Sequence, residues 1–395
     1  MSFTRELQVS LGVQGGGAAA VLLATVLLGK LLGPEVQGGF SHVKAEVEFI
    51  SAFAMFGLPQ ALFFYVKSGQ LAGRTALHWT MGCAVAALPL AAAWALWNSQ
   101  TADLTVLLAL AVAASVTHGL VRGLLLVSPR TAWFSVFTAL PQVLVLIGVL
   151  CVVIVRGTAT AEIWLLVFAL AYALSALVAW RPLERLFANA VVTELGWRTL
   201  VHYGMGAWLT SVLVTAAILF VQGWVETTLG RGVLGQFTMA MTLVQVPLTP
   251  ISYAAPLLLR RWMERPGAEA ARRIAGAVCA FLLLFAGFAW AAGLVSPDLG
   301  LGAAYAGATH AVAILLVGAA AEAASRVLAA QAGARGTPWI VVRAEVARWT
   351  VLAGGWLVLP TLTLTLVCAV WATGAWAGAA VCAWQVRPGP AEGAG

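Results

Sequence analysis

Three charged side chains interrupt an apolar stretch of the sequence: Lys44, Glu46 and Glu48. A charge at the centre of a membrane helix costs about 2.5–3.5 kcal/mol, so such residues commonly bind a ligand or an ion, or form an ion pair. On a helix, Lys44 and Glu48 share one face, whereas Glu46 lies on another face and is spaced to pair with His42. We predict that Lys44 and Glu48 line a ligand cavity and that Glu46 and Glu48 bind an ion. A purely structural ion pair is the alternative.

A second set of charges lies in two apolar stretches nearer the C-terminus. Glu345 and Arg348 have the i, i+3 spacing of an ion pair, and Arg343 is expected to pair with Glu322 on a neighbouring helix. Most of these residues lie near predicted helix ends, which favours a structural or gating role over ligand binding. We therefore predict that Glu322 and Arg343 hold two helices together or gate one end of a helical bundle.

The sequence lacks the residue patterns of several other chemistries. The five cysteines have no CxxC spacing, and His118 and His310 are expected to be structural histidines. Residues 12–17, GlyValGlnGlyGlyGly, follow no strand and precede no GK[ST] triplet, so they form no phosphate loop. Their GxxxG spacing suits helix packing instead, and Gln14 among them is a further cavity candidate. We expect a protein that is not an enzyme and that binds no cofactor or metal cluster.

The elements that position these residues are membrane helices. The chain has 395 residues, of which 62% are hydrophobic and only 9% are charged, too few charges to cover a water-soluble surface. Apolar blocks of spanning length predict helices rather than alternating strands. A net charge of +7 could indicate nucleic acid in a soluble protein. Here it is explained by the Lys and Arg bias of cytoplasmic loops, so no nucleic-acid partner is expected.

Twelve spans are predicted from the apolar blocks. Their limits are 11–32, 40–66, 75–98, 104–127, 132–155, 161–180, 199–223, 233–259, 272–295, 304–329, 338–358 and 361–385. With the N-terminus inside, sixteen Lys and Arg residues fall on the cytoplasmic side and three, Lys30, Arg156 and Arg231, fall outside. We predict a multi-pass, monomeric protein of the bacterial inner membrane with both termini in the cytoplasm.

The sequence repeats itself across its midpoint. A shift of 197 residues aligns seven identical positions, which are Leu32, Gly33, Val36, Gly38, Phe40, Pro59 and Leu62 with Leu229, Gly230, Val233, Gly235, Phe237, Pro256 and Leu259. We predict six-helix lobes at residues 1–180 and 199–395, with a cytoplasmic linker at 181–198 and a short disordered tail at the C-terminus. An even number of spans makes the repeats parallel. The predicted fold is therefore all-α, with about twelve transmembrane helices in two parallel lobes.

Two prolines at matched positions, Pro59 and Pro256, are predicted to kink the second helix of each lobe. Kinks in membrane helices are tolerated where neighbouring helices or a wet cavity satisfy the freed backbone groups. A weaker match, with a shift of 204, aligns Arg122 with Arg326. We assign gating or structural roles to these four residues.

Residues 33–40, GlyProGluValGlnGlyGlyPhe, and 56–66, PheGlyLeuProGlnAlaLeuPhePheTyrVal, resemble the region of the first two helices in polysaccharide-biosynthesis flippases. Those proteins belong to the multidrug/oligosaccharidyl-lipid/polysaccharide exporter superfamily. The resemblance implies alternating-access translocation of a lipid-linked oligosaccharide, with a lipid carrier of the polyprenyl-diphosphate type. It also implies a cavity lined by the first two helices of each lobe. Gln222, in the first helix of the second lobe, thereby joins Gln14, Lys44 and Glu48 as a cavity candidate.

Two other functions stay open. The acidic residues of the second span favour a cation-coupled multidrug exporter of the same superfamily, with Na⁺ or H⁺ as the coupling ion. A membrane glycan ligase or polymerase is less favoured, because the predicted outer loops are short and nearly uncharged. Since the sequence has no nucleotide-binding motif, we expect any transport to be driven by ion gradients, by the membrane potential or by downstream consumption of the glycan, and not by ATP hydrolysis.

Overall fold

The computed structural model describes residues 3–98, 101–128, 131–156, 160–187, 197–264, 268–295, 301–359 and 362–386. The predicted tail at 387–395 and half of the predicted linker, residues 188–196, lie outside these ranges. The described chain is helical and contains no β-strand. Ten of its helical stretches are long and apolar enough to span a membrane. The prediction of an all-α, multi-pass membrane protein is confirmed.

The described ranges contain twelve α-helices and a 3-10 helix at Ala303–Tyr305. The α-helices are α1 (Phe3–Met55), α2 (Leu58–Lys67), α3 (Gly73–Trp97), α4 (Ala102–Leu125), α5 (Thr131–Arg156), α6 (Ala161–Leu186), α7 (Trp197–Leu229), α8 (Arg231–Glu264), α9 (Ala268–Val295), α10 (Ala306–Ala334), α11 (Trp339–Val358) and α12 (Leu364–Gln385).

Two glycines at repeat-matched positions make the turns that begin the second helix of each repeat. Gly33 breaks α1 with a φ of 76° and a ψ of 172°, and Gly230 separates α7 from α8 with a φ of 88°. Glycine adopts this left-handed backbone because it has no Cβ. The break at Gly33 divides α1 into two helical segments, which correspond to the first predicted span and most of the second.

The second predicted span, 40–66, is not one continuous helix. Phe56 and Gly57 have φ values of 48° and 66°, and they interrupt the chain between α1 and α2. Pro59 therefore lies in the first turn of α2, where its missing N–H removes no helical hydrogen bond. The prediction that Pro59 kinks a helix interior is wrong, whereas Pro256 does lie inside α8, together with Pro247 and Pro250.

The chain forms two compact units, which we call unit 1 and unit 2. Unit 1 comprises Met1–Ala24 and Phe40–Leu219, and unit 2 comprises Thr25–Gly39 and Phe220–Gly395. A short part of α1 thus belongs to unit 2, and the first part of α7 belongs to unit 1. These limits differ from those of the predicted lobes, and the division of the chain by sequence repeat stays a prediction.

In unit 1, α4 packs against α2, α3, α5 and α6. Its buried residues recur every three or four positions, as expected for a helix with a wide packed face. They include Leu108, Ala111, Val112, Val116, Leu120 and Leu124.

In unit 2, α10 is the central helix and packs against α8, α9 and α12. It is rich in alanine, and small side chains let membrane helices approach closely. Ala321 of α10 packs with Ala375 and Ala379 of α12. At one end of unit 2, Arg272 of α9 donates to the carbonyl oxygens of Ala383 and Val386, at 2.9 Å each. The guanidinium thereby caps the last turn of α12.

Candidate functional site

An accessible ion pair lies on the part of α1 that belongs to unit 1. Lys44 Nζ is 3.0 Å from Glu48 Oε1, and the side chains are 45% and 38% exposed. Lys44 also lies within electrostatic range of the hydroxyl of Tyr172 on α6. This pairing is the one that the i, i+4 spacing predicts. Both side chains remain partly accessible beyond the ion pair.

Glu46 faces a different neighbour and is buried. Its Oε1 accepts a hydrogen bond from the indole nitrogen of Trp94 on α3, at 3.3 Å. The tilted contact between Phe49 and Trp94, with ring centroids 5.3 Å apart, holds the indole beside the carboxylate. Glu46 thus contacts α3, whereas Lys44 and Glu48 contact each other, as expected for residues on different faces of the helix. The bond to Trp94 could not be predicted from local spacing, since the two residues are 48 positions apart.

Gln14 belongs to a buried polar cluster between α1 and α5. Its Nε2 donates to Ser10 Oγ at 2.6 Å and to Ser135 Oγ at 3.2 Å, and the two hydroxyl oxygens are 2.7 Å apart. All three side chains are almost fully buried. Hydrogen bonds of this kind hold membrane helices together. The structure places Gln14 at this helix interface and not at an accessible surface.

The break between α1 and α2 is held by α7 within unit 1. The indole nitrogen of Trp208 donates to the carbonyl oxygen of Phe53 at 2.9 Å, and its ring lies 5.2 Å from the ring of Phe53. A Cβ on Gly57 would lie 2.6 Å from the backbone nitrogen of Trp208. Glycine at position 57 is thus required both by the left-handed backbone and by the neighbouring helix. No local sequence pattern predicted Trp208 in this role.

A reciprocal glycine contact in unit 2 joins the segment 25–39 to α8. A Cβ on Gly38 would lie 2.5 Å from the carbonyl oxygen of Arg231, and a Cβ on Gly235 would lie 2.5 Å from the carbonyl carbon of Pro34. The partners are related by the same shift of 197 residues as the glycines themselves. The contact is therefore reciprocal: each glycine meets the residue that lies four positions before the other glycine.

A polar cluster lies beside this glycine contact in unit 2. The hydroxyl of Tyr305 lies 2.7 Å from Gln37 Oε1, to which it donates, and 3.2 Å from the carbonyl oxygen of Gly29. Tyr305 is only 2% exposed, and Met239 of α8 lies against the same glutamine. This cluster fixes the segment 25–39 against unit 2. Sequence analysis missed Tyr305, which is 268 residues away from its glutamine partner.

A network of four charged side chains crosses unit 2. Glu322 Oε1 accepts from Arg326 on the same helix, and Arg326 also donates to Ser252 Oγ on α8. Arg348 of α11 lies 3.7 Å from carboxylate oxygens of both Glu322 and Glu345. The network therefore connects α8, α10 and α11. The structural or gating role assigned to Glu322 stays a prediction.

Arg343 is not the partner of Glu322, and that prediction is wrong. Arg343 Nη1 lies 3.4 Å from Gln385 Oε1 on α12, while Arg348 approaches Glu322. The two arginines are five residues apart and so point to different faces of α11. The exposed face carries Arg343, and the buried face carries Arg348.

The remaining predicted residues are spread over both units. Arg122, near the end of α4, is exposed, and its guanidinium carbon lies 6.0 Å from the centre of the Phe134 ring. Gln222 belongs to unit 2 and is buried, with Oε1 lacking a hydrogen-bond partner within the described residues. The described residues contain no group of three or more His, Cys, Asp or Glu side chains able to hold a metal ion.

The fold is that of MATE family transporters. An outward-facing multidrug resistance MATE family transporter of the MOP superfamily aligns with a TM-score of 0.69 and 15% identity, covering 98% of this chain and 96% of that chain. A MATE in complex with MaL6 aligns at 0.70 and 17%, covering 98% and 95%. The MATE transporter ClbM in complex with Rb⁺ aligns at 0.65 and 15%, covering 98% and 96%. No protein-family model and no curated protein matches the sequence significantly.

These similarities agree with the expected superfamily at the level of fold. The named structures are MATE transporters, and none of the three is a polysaccharide flippase. The flippase branch to which residues 33–40 and 56–66 pointed is therefore not confirmed.

Proposed function

We propose that this protein is a cation-coupled membrane exporter that moves an organic solute by alternating access. The observation that carries the proposal is the whole-chain likeness to MATE transporters, which extends over 98% of this chain. One of the similar structures is a multidrug resistance transporter, and another holds Rb⁺. The asymmetry of Lys and Arg between predicted loops supports an inner-membrane protein with both termini in the cytoplasm.

In this proposal, the solute binds at the Lys44–Glu48 pair. The two charged groups are in contact at 3.0 Å, and more than a third of each side chain is accessible. A cationic solute or a coupling ion would compete with Lys44 for the carboxylate of Glu48. Its binding energy would then favour one conformation over another, which is the requirement for a ligand to shift a conformational equilibrium.

Of the two carboxylates proposed for ion coupling, Glu48 is the better placed. Glu48 is accessible and its partner is another side chain on the same helix. Glu46 is buried and already accepts the hydrogen bond of Trp94. We therefore assign the exchange of ion and solute to Glu48 and a positioning role to Glu46.

Flipping of a lipid-linked oligosaccharide is the second candidate function. It is favoured by residues 33–40 and 56–66, and by the accessible ammonium group of Lys44, which suits a diphosphate headgroup. The two candidate functions use different residues of the same ion pair to bind the substrate. A cationic solute requires Glu48, whereas a diphosphate requires Lys44.

Proteoliposomes containing the purified protein separate these functions. We expect gradient-driven export of a fluorescent cationic dye, at a rate at least tenfold lower in Glu48→Gln. A Na⁺ gradient and a H⁺ gradient, applied separately, identify the coupling ion. Glu269→Gln is the matched control, because Glu269 forms an i, i+4 pair with Arg273 on an exposed face of α9.

The same vesicles test the second candidate with a fluorescent polyprenyl-diphosphate oligosaccharide. Flipping of this lipid without dye export, and its loss in Lys44→Gln, would establish the flippase and refute the exporter. If transport of the dye or of the lipid is unchanged in both Glu48→Gln and Lys44→Gln, then the Lys44–Glu48 pair is not part of the substrate site.

A further inference from the structure

The charged network of unit 2 contains one carboxylate that is poorly compensated. Glu345 is 13% exposed, and its nearest cation is Arg348, whose Nη1 lies 3.7 Å from Glu345 Oε2. Charge-assisted hydrogen bonds between nitrogen and oxygen are about 2.7–2.9 Å long. Glu345 Oε2 has no hydrogen-bond partner within the described residues. A buried carboxylate in this condition lacks the interactions that stabilise its charge.

Glu322, by contrast, is compensated by two guanidinium groups. It accepts a direct hydrogen bond from Arg326, and Arg348 Nη2 lies 3.7 Å from its other oxygen. Two nearby positive charges favour the ionised form of a carboxyl group. The two carboxylates of the network therefore differ in how well their charges are compensated.

Arg348 is buried against α12, but its guanidinium lacks direct hydrogen bonds to the carboxylates. Its guanidinium carbon lies 4.2 Å from the centre of the Trp371 ring, and a Cβ on Gly374 would lie 3.3 Å from its Cγ. The side chain is only 5% exposed, yet Nε and Nη2 lack hydrogen-bond partners within the described part of the chain. The guanidinium thus forms an ion pair of 3.7 Å with each of Glu322 and Glu345 and is hydrogen-bonded to neither.

We propose that Glu345 is a proton-binding site and that Arg348 changes partner with its protonation. When Glu345 takes a proton from solvent, it becomes neutral and Arg348 pairs with Glu322. When Glu345 releases the proton, Arg348 turns to the new carboxylate. The ionisable groups facing Glu345 are Arg348 on its own helix, Glu322 and Arg326 on α10, and Cys382 on α12.

The network connects this switch to the proline-rich helix of unit 2. Arg326, which shares Glu322 with Arg348, also donates to Ser252 on α8. Ser252 lies between Pro250 and Pro256, and Pro256 leaves the carbonyl of Ser252 without its normal helical donor. A change in the pairing of Glu322 therefore acts through Arg326 on Ser252, within the proline-rich part of α8. The inference goes beyond the proposed function, because it places a proton site in unit 2 whatever the solute is.

Infrared difference spectroscopy of the purified protein, titrated with acid in the absence of solute, tests the site directly. A protonated carboxyl gives a C=O stretching band that shifts in D₂O. We expect such a band in the native protein and in Glu322→Gln, and its loss in Glu345→Gln. The surface variant Glu269→Gln is the matched control and should retain the band.

Two results would overturn the proposal: a native protein without a titrating carboxyl band, or a band that persists in Glu345→Gln. If Glu345→Gln does not fold, Glu345→Asp replaces it in the test. This variant keeps a carboxyl group, so it should shift the frequency of the C=O band without abolishing the band. An unmoved band in that variant would also exclude Glu345. Since no transport is measured, failure here leaves the proposed export function intact, and failure of export leaves this site intact.

Discussion

The close contact between segment 25–39 and α8 predicts that Gly235→Ala destabilises the protein. A Cβ at position 235 would lie 2.5 Å from the carbonyl carbon of Pro34 and 2.7 Å from its Cα, with the carbonyl oxygen closer still. These are backbone atoms, so no side chain can rotate away to make room. The two segments would have to separate by roughly 1 Å to reach ordinary van der Waals distance.

The magnitude follows from two opposing effects. Overpacking of a well-packed interior costs about 1–3 kcal/mol, whereas replacing glycine by alanine inside a helix gains about 0.8–1 kcal/mol. Gly232, one turn earlier in α8, isolates the second effect, because a Cβ there would meet only Glu35 Cγ, at 3.8 Å. We expect the apparent free energy of unfolding of Gly235→Ala to fall about 1–3 kcal/mol below that of Gly232→Ala.

Chemical denaturation of both variants in the same detergent measures this difference. Gly38→Ala should behave like Gly235→Ala, because Gly38 makes the reciprocal contact with Arg231. Equal stability of Gly235→Ala and Gly232→Ala would show that the segment 25–39 does not pack against α8 as described.

Two hydrogen bonds in unit 1 give further predictions. Trp208→Phe keeps an aromatic ring but removes the donor to the carbonyl oxygen of Phe53. The free energy of unfolding should therefore fall by about 1 kcal/mol. An unchanged free energy of unfolding would mean that this hydrogen bond contributes nothing to stability. Glu46→Gln retains an acceptor for Trp94 and should cost less than Glu46→Leu, which leaves the indole N–H without its acceptor at a cost of about 1–3 kcal/mol. Denaturation curves of the two variants at position 46 should therefore separate, and coincident curves would contradict the assigned bond.

The turns of the fold could be predicted from the sequence because they are encoded locally and occur twice. The motif around Gly33 recurs around Gly230, and both glycines adopt the left-handed backbone that only glycine takes up without strain. The ion pair of Lys44 and Glu48 was predictable for a similar reason, since a spacing of four residues places both on one helical face.

Other features depend on partners that are distant in sequence. The break at Phe56 and Gly57 is stabilised by Trp208 on another helix, and nothing around Phe56 marks it for a left-handed conformation. The pairing of Glu46 with His42 by spacing stays a prediction, and the fold brings Trp94 to the same carboxylate. Long-range contacts of this kind are decided by which helices pack together, and helical periodicity does not contain that information.

The error over Arg343 had a different cause. Both Arg343 and Arg348 lie in α11, and either could have been the partner of Glu322 by composition alone. The choice depends on the rotation of α11 about its axis, which the structure fixes by burying Arg348 against Trp371. The small residues Gly374 and Gly378 on α12 make room for this arginine, and their spacing was the available signal.

The reciprocal glycine contact has the form of a symmetric contact. Gly38 meets residue 231 and Gly235 meets residue 34, so each side of the contact presents the same surface to the other. Two identical polypeptides related by a two-fold axis make contacts of this form. Two copies of a segment with glycine at the position of Gly38, placed around a two-fold axis, would satisfy both halves of this contact at once.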